Sequence, residues 1–187
     1  MASARPVAAA ERPARRVEAV GPRRQRGGWH LWAAGLGALG ITPGAGTGGA
    51  LLGADVEVGW WRLGLEGRWL AASSTEVAGG RVEADALQGA ALGCVQAGGL
   101  GGCAVGTVGW QRSAGSGFAV DREAGTPFVS VGVRARYELL AGRELGLVFL
   151  AEAASPIAST RLRVGDQAVW ESAPVGLLVG LGGVVAP

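Results

Sequence analysis

Hydrophobic and polar positions alternate along most of this chain, most regularly between Pro127 and Ala154. Val129, Val131, Val133, Ala135 and Tyr137 share one parity, and Ser130, Gly132, Arg134, Arg136 and Glu138 share the other. After the turn Ala141-Gly142-Arg143-Glu144, Leu145, Leu147, Phe149 and Ala151 alternate with Gly146, Val148, Leu150 and Glu152. A period of two sends successive side chains to opposite faces of a strand. The stretch therefore predicts a β-hairpin with one apolar face and one charged face.

The same alternation predicts eight strands from Trp29 onward: 29–39, 49–60, 63–72, 81–97, 100–112, 128–140, 144–155 and 173–185. Gly98-Gly99 suits the positive φ of a type I′ turn between the fourth and fifth. In the second strand Leu52, Ala54, Val56, Val58 and Trp60 oppose Asp55 and Glu57. In the third, Leu63, Leu65 and Trp69 oppose Glu66 and Arg68, and in the eighth, Val175, Leu177, Val179 and Leu181 oppose Gly176, Leu178, Gly180 and Gly182. The fourth is less regular, because Glu83 and Asp85 lie on the opposite parity from Gln88. Either a bulge intervenes there, or the start of that strand rises beyond the layer that the other strands span.

Connections alternate in length. The first, third, fifth and seventh are long; the second, fourth and sixth are short. The long ones include Ser73–Gly80, Ser113–Thr126 and Ile157–Glu171. Long loops at one end and short turns at the other are expected of an up-and-down barrel spanning an outer membrane. The predicted fold is all-β: an eight-stranded antiparallel up-and-down β-barrel over residues 29–187. Residues 1–28 lack periodicity and predict a disordered Ala/Arg/Pro-rich tail. Basic residues before Trp29–Gly40 also resemble an export signal; the alternation favours a first strand.

Two barrels fit this alternation. In a soluble lipocalin-like barrel the apolar face lines a cavity that binds a small apolar ligand. In a membrane barrel the apolar face meets lipid and the charges fill the lumen. Composition favours the second. Lys is absent, Gly accounts for 35 of the 187 residues, and only 17% of residues are charged. A soluble exterior calls for more charge, and a narrow eight-stranded lumen suits glycine. No run of residues reads as a membrane-spanning helix. Asp55, Glu57, Glu66, Glu138 and Glu152 against Arg68, Arg134 and Arg136 predict a network of paired charges inside. Trp60, Trp61 and Tyr137 fall near one end of the strands and Trp69, Trp110, Phe128 and Trp170 near the other, as interfacial girdles do.

Chemistry is sparse. A two-residue turn at Gly98-Gly99 puts Cys94 opposite Cys103, with Cα atoms about 4.5 Å apart at a non-hydrogen-bonded pair, within disulfide reach. The expected disulfide requires an oxidising compartment; two buried thiols are the alternative. Gly44, Gly46 and Gly49 match G-x-G-x-x-G, but a strand rather than a helix is expected next. His30 is the sole histidine, which argues against hydrolase machinery needing a general base and against a metal site. No catalysis, cofactor or metal is expected. The basic tail lacks aromatic residues to stack on bases, so nucleic acid is not an expected partner.

Residues 29–187 resemble the small, mostly uncharacterised outer-membrane β-barrel proteins of myxobacteria, and more distantly the eight-stranded OmpA- and OmpX-type barrels. The resemblance rests on residues 59–70 (GWWRLGLEGRWL), 94–103 (CVQAGGLGGC), 163–187 and the Gly-rich alternation. It implies no enzymatic activity and no known ligand. The expected protein is a monomer in the outer membrane, and the phase of the long and short connections puts the N-terminus in the periplasm and the long loops outside. Its partners would be membrane lipid and the barrel-assembly machinery, and its role structural or surface-interacting. Such barrels usually finish in an aromatic residue, where this sequence has Val184-Val185-Ala186-Pro187.

Overall fold

The computed structural model describes residues 28–42, 46–77, 80–117, 122–140, 144–158, 161–164 and 167–185. The expectation for the N-terminal tail lies outside the described residues, apart from Gly28. The strands are β1 (Trp29–Leu39), β2 (Thr47–Val58), β3 (Trp61–Val77), β4 (Gly80–Ala97), β5 (Leu100–Ser116), β6 (Arg122–Leu140), β7 (Leu145–Pro156), β8 (Arg161–Val164), β9 (Gln167–Glu171) and β10 (Gly176–Val185). A closed barrel forms in the order β1-β10-β7-β6-β5-β4-β3-β2, with every pairing antiparallel. This is the expected eight-stranded up-and-down barrel. Trp29–Leu39 forms its first strand, as the alternation predicts, and pairs with both β2 and β10.

The seam between β1 and β10 depends on glycine. A Cβ at Gly182 would fall on the carbonyl oxygen of Ala33. At the short-turn end, Gly59 and Gly98 take positive φ of 68° and 64°. Gly99 is not among the positive-φ residues, so the β4–β5 turn has the one-positive-φ pattern of type II′ rather than the expected type I′.

The opposite end departs from expectation. Ser73–Gly80 is not an open loop, because β3 continues to Val77 and pairs with β4 through Ser73↔Ala84 and Val77↔Gly80. Ser113–Thr126 is likewise mostly strand, with Arg112↔Gly125 and Gly115↔Arg122 in register. Strands of 17 to 19 residues in β3 to β6 exceed the roughly 9–11 that cross a bilayer. They carry a four-stranded sheet beyond the barrel wall. The expected loop Ile157–Glu171 contains the separate hairpin β8–β9. Serine, alanine and threonine alternating with glutamate read as loop because neither face of a strand outside the bilayer need be apolar.

The projecting sheet resolves the irregular fourth strand. The register shift lies between Leu70 and Ser73 on β3, while β4 keeps one parity throughout, with Val82, Ala84, Ala86, Gln88, Ala90, Leu92 and Cys94 buried. Glu83 and Asp85 sit on the outward parity because that part of β4 lies above the band where the outer wall is apolar.

Candidate functional site

Alternation makes the barrel inside-out relative to a soluble one. Leu65 and Val133 are 69% and 67% exposed on the outer wall, whereas Arg134 is 2% exposed in the lumen. Leu52, Leu63, Val108, Val129, Val131, Leu147, Phe149, Leu177, Val179 and Leu181 are also exposed outside. On the outer wall of β3, nothing charged lies between Trp61 and Trp69. Above that band the outer face turns polar at once, with Ser74, Glu76, Arg81, Glu83 and Arg112 exposed.

Aromatic residues mark the edges of the band. Trp29, Trp60, Trp61 and Tyr137 are exposed at the short-turn end, and Trp69 and Trp110 at the other. The upper row runs Trp69↔Leu87↔Trp110↔Pro127 across four strands. Trp61 and Trp69 are separated by about 26 Å of strand, close to the apolar height of such barrels once tilt is allowed for. Phe128 departs from expectation: it is half-buried and packs on the core inside the barrel instead of joining the girdle. A Cβ at Gly109 would lie 2.5 Å from its ring, so glycine there makes room for the inward ring. The side chain of Trp170 lies outside the described residues.

Inside, the charges form two stacked quartets. In the upper one, Arg134 reaches from β6 to Glu66 on β3 through Nη1–Oε2 at 2.7 Å and Nη2–Oε1 at 2.6 Å. Glu152 accepts from Arg68 Nη1 and Nη2, both at 2.8 Å, and from Arg134 Nη2 at 2.6 Å. Arg68 Nε closes the ring on Glu66. In the lower one, Arg136 contacts Asp55 and Glu138, both at 2.7 Å. Arg62 contacts Glu138 at 2.6 Å and Asp55 at 3.2 Å. Each quartet holds two arginines and two carboxylates, so their formal charges cancel. A buried charge is tolerable only when so paired and hydrogen-bonded.

Trp32 stands between the quartets. Its ring centroid lies 5.6 Å from Cζ of Arg134 and 4.6 Å from Cζ of Arg136, within cation–π range. Its cross-strand partner is Gly53, where a Cβ would lie 2.5 Å from Trp32 Cζ2.

The structure thus brings Asp55, Glu66, Arg68, Arg134, Arg136, Glu138 and Glu152 together. Glu57 faces the same way but is half-buried and joins none of the ion pairs among the described residues. Arg62, Trp32 and His30 belong to the cluster and are not among the candidates read from the sequence. The sequence pattern puts Arg62 in a turn, although its even parity with Glu66 and Arg68 is the available signal. His30 Nδ1 lies 3.1 Å from Asp55 Oδ1. The apolar cavity of a lipocalin-like barrel is not what this lumen contains.

Cys94 and Cys103 face each other across β4 and β5 and form the expected disulfide, with Cα atoms 3.9 Å apart. Both are buried in the lumen. The G-x-G-x-x-G stretch leads into strand β2 and not into a helix.

No family model matches the chain, and no curated protein matches it. Solved structures do. Ail, the attachment invasion locus protein of Yersinia pestis, superposes with a TM-score of 0.61 at 9% identity, covering 87% of this chain and 99% of Ail. Neisserial surface protein A gives 0.53 at 8% identity, covering 84% and 96%. A major outer membrane protein from Thermus thermophilus gives 0.53 at 13% identity, covering 84% and 99%. The chain has the fold of these small outer-membrane barrels, and at such identities the likeness is one of fold.

Proposed function

We propose that this chain is an outer-membrane β-barrel protein with a structural or surface-contact role, inserted as a monomer and carrying no catalytic machinery. One observation carries the reading: the outer wall is apolar and free of charge between two aromatic rows, while arginines and carboxylates fill the lumen. That distribution is stable only when lipid surrounds the barrel, because so large an exposed apolar surface drives association in water.

The fold it shares with barrels from three bacteria supports the same reading. The narrower kinship with the small myxobacterial barrels goes with it, as do lipid and the barrel-assembly machinery as partners. Short turns and the start of β1 would face the periplasm, where the disulfide forms, and the projecting sheet of β3 to β6 would face outward. Contacts would be made there, since the sheet's outer face is polar and its borders, upper β3 and the start of β6, have no barrel neighbour among the described residues. The filled lumen argues against a pore.

Membrane fractionation with gel mobility before and after heating tests this. The expected result is a membrane-bound species whose mobility shifts on boiling. A detergent-independent soluble monomer would overturn it.

A further inference from the structure

Cys94 and Cys103 are 2% and 6% exposed in the closed barrel. They stand in a lumen row that crosses four strands: Arg62↔Cys94 on β3 and β4, Cys94↔Cys103 on β4 and β5, and Cys103↔Arg134 on β5 and β6. Both flanking arginines are buried as well. Arg62 belongs to the lower quartet, through Glu138 and Asp55, and Arg134 to the upper, through Glu66 and Glu152. Paired charges therefore hold both ends of the row that carries the sulfurs. The β4–β5 wall behind them is continuous, paired from Arg81↔Ser116 to Ala97↔Leu100. Thiol–disulfide exchange passes through a mixed disulfide, in which the oxidant is bonded to one of the two cysteines. The site must then hold the oxidant as well as the sulfurs. The lumen cavity of about 50 Å³ beside Arg68 and Glu152 is lined by neither cysteine.

We propose that the Cys94–Cys103 bond is made before the barrel closes, by exchange with a disulfide-bearing oxidant, and that closure then seals it against further exchange. One cysteine thiolate attacks the oxidant's disulfide and displaces one of its sulfurs as a thiol. The other cysteine attacks the mixed disulfide and displaces the second sulfur. The chain gives up two electrons and its two thiol protons, and the oxidant is reduced to two thiols. A sequence separation of 9 brings the cysteines together in an unclosed chain at little loop-closure cost. The order has a structural consequence. β4 and β5, the two inner strands of the projecting sheet, enter the barrel with their register already fixed by a covalent bond. The inference concerns the lumen and does not depend on what the outer surface contacts.

Oxidised glutathione is the probe. The full chain with both thiols reduced is folded into detergent micelles and exposed to it, and the same chain held unfolded in urea is the comparison. A peptide of residues 94–103 in each solvent corrects for the solvents themselves. Free thiols are counted over time, after acid quenching and unfolding. The unfolded chain should oxidise at least about a hundredfold faster than the folded one, because a sealed site reacts only through opening of the barrel. If the reduced chain does not fold, the reverse reaction decides, since it passes through the same mixed disulfide. The oxidised barrel in micelles should keep its bond in reduced glutathione at least about a hundredfold longer than the unfolded chain does. A mass test of the bond therefore reduces the unfolded chain. Corrected rates that are equal for folded and unfolded chain, in either direction, would overturn the proposal.

Discussion

Arg134 and Glu66 meet across the lumen from strands β6 and β3, joined by two hydrogen bonds of 2.7 and 2.6 Å and nearly sealed from solvent. The pair ties opposite walls of the barrel. Removing one partner strands a charge that no water reaches. Glu66→Ala should therefore destabilise the barrel by about 3–5 kcal/mol, measured by denaturant unfolding in detergent. Glu57→Ala, outside the network, should cost no more than about 0.5 kcal/mol. Equal costs would mean that the quartet does not hold the barrel together.

The Cys94–Cys103 bond closes a short hairpin loop. Chain-entropy arithmetic gives about 2–3 kcal/mol for a loop of that size. Cys94→Ala with Cys103→Ala should lower unfolding stability by that order. Intact protein should gain alkylation mass at both cysteines only after reduction. Equal mass with and without reduction would contradict the bond.

Val133 lies outward near the middle of the apolar band. A cation there costs about 2–4 kcal/mol at the bilayer midplane and about 0–1 near the interfaces. Val133→Arg should block insertion, scored as loss of the heat-shifted band in membranes. Ser74→Arg, on the outer face above the band, should assemble normally.

Trp32 needs the space that Gly53 leaves. Gly53→Leu should drive the added side chain into the indole and cost about 1–3 kcal/mol, as overpacking does. Gly67→Leu makes the informative contrast. A Cβ at Gly67 meets nothing within 4 Å, so the same change on the outer wall should be tolerated. Comparing the two denaturation midpoints checks it.

Much of this barrel can be read from parity alone. The hairpin β6–β7 is legible because Arg134, Arg136 and Glu138 alternate with valines and Tyr137, and the β4–β5 turn is legible from Gly98-Gly99, which also places the cysteines opposite each other. Trp32 is not legible. Leu31, Trp32, Ala33 and Ala34 are apolar on both parities, so period two does not say which faces in, and only pairing with Gly53 decides it. The extensions of β3 and β5 are hidden for a different reason. Beyond the bilayer both faces of a strand meet polar surroundings, the alternation fades, and Ser73, Ser74, Ser113 and Gly115 look like turn residues.

The central claim is that lipid, not water, covers the outer wall. Intermolecular nuclear Overhauser contacts between acyl-chain protons and protein methyl groups in nanodiscs test it most directly. The account predicts contacts from acyl chains to Leu65, Val133 and Val179, and none to Val148, Leu178 or Val184 in the lumen. Acyl-chain contacts at the second set, or water contacts replacing lipid at the first, would contradict it.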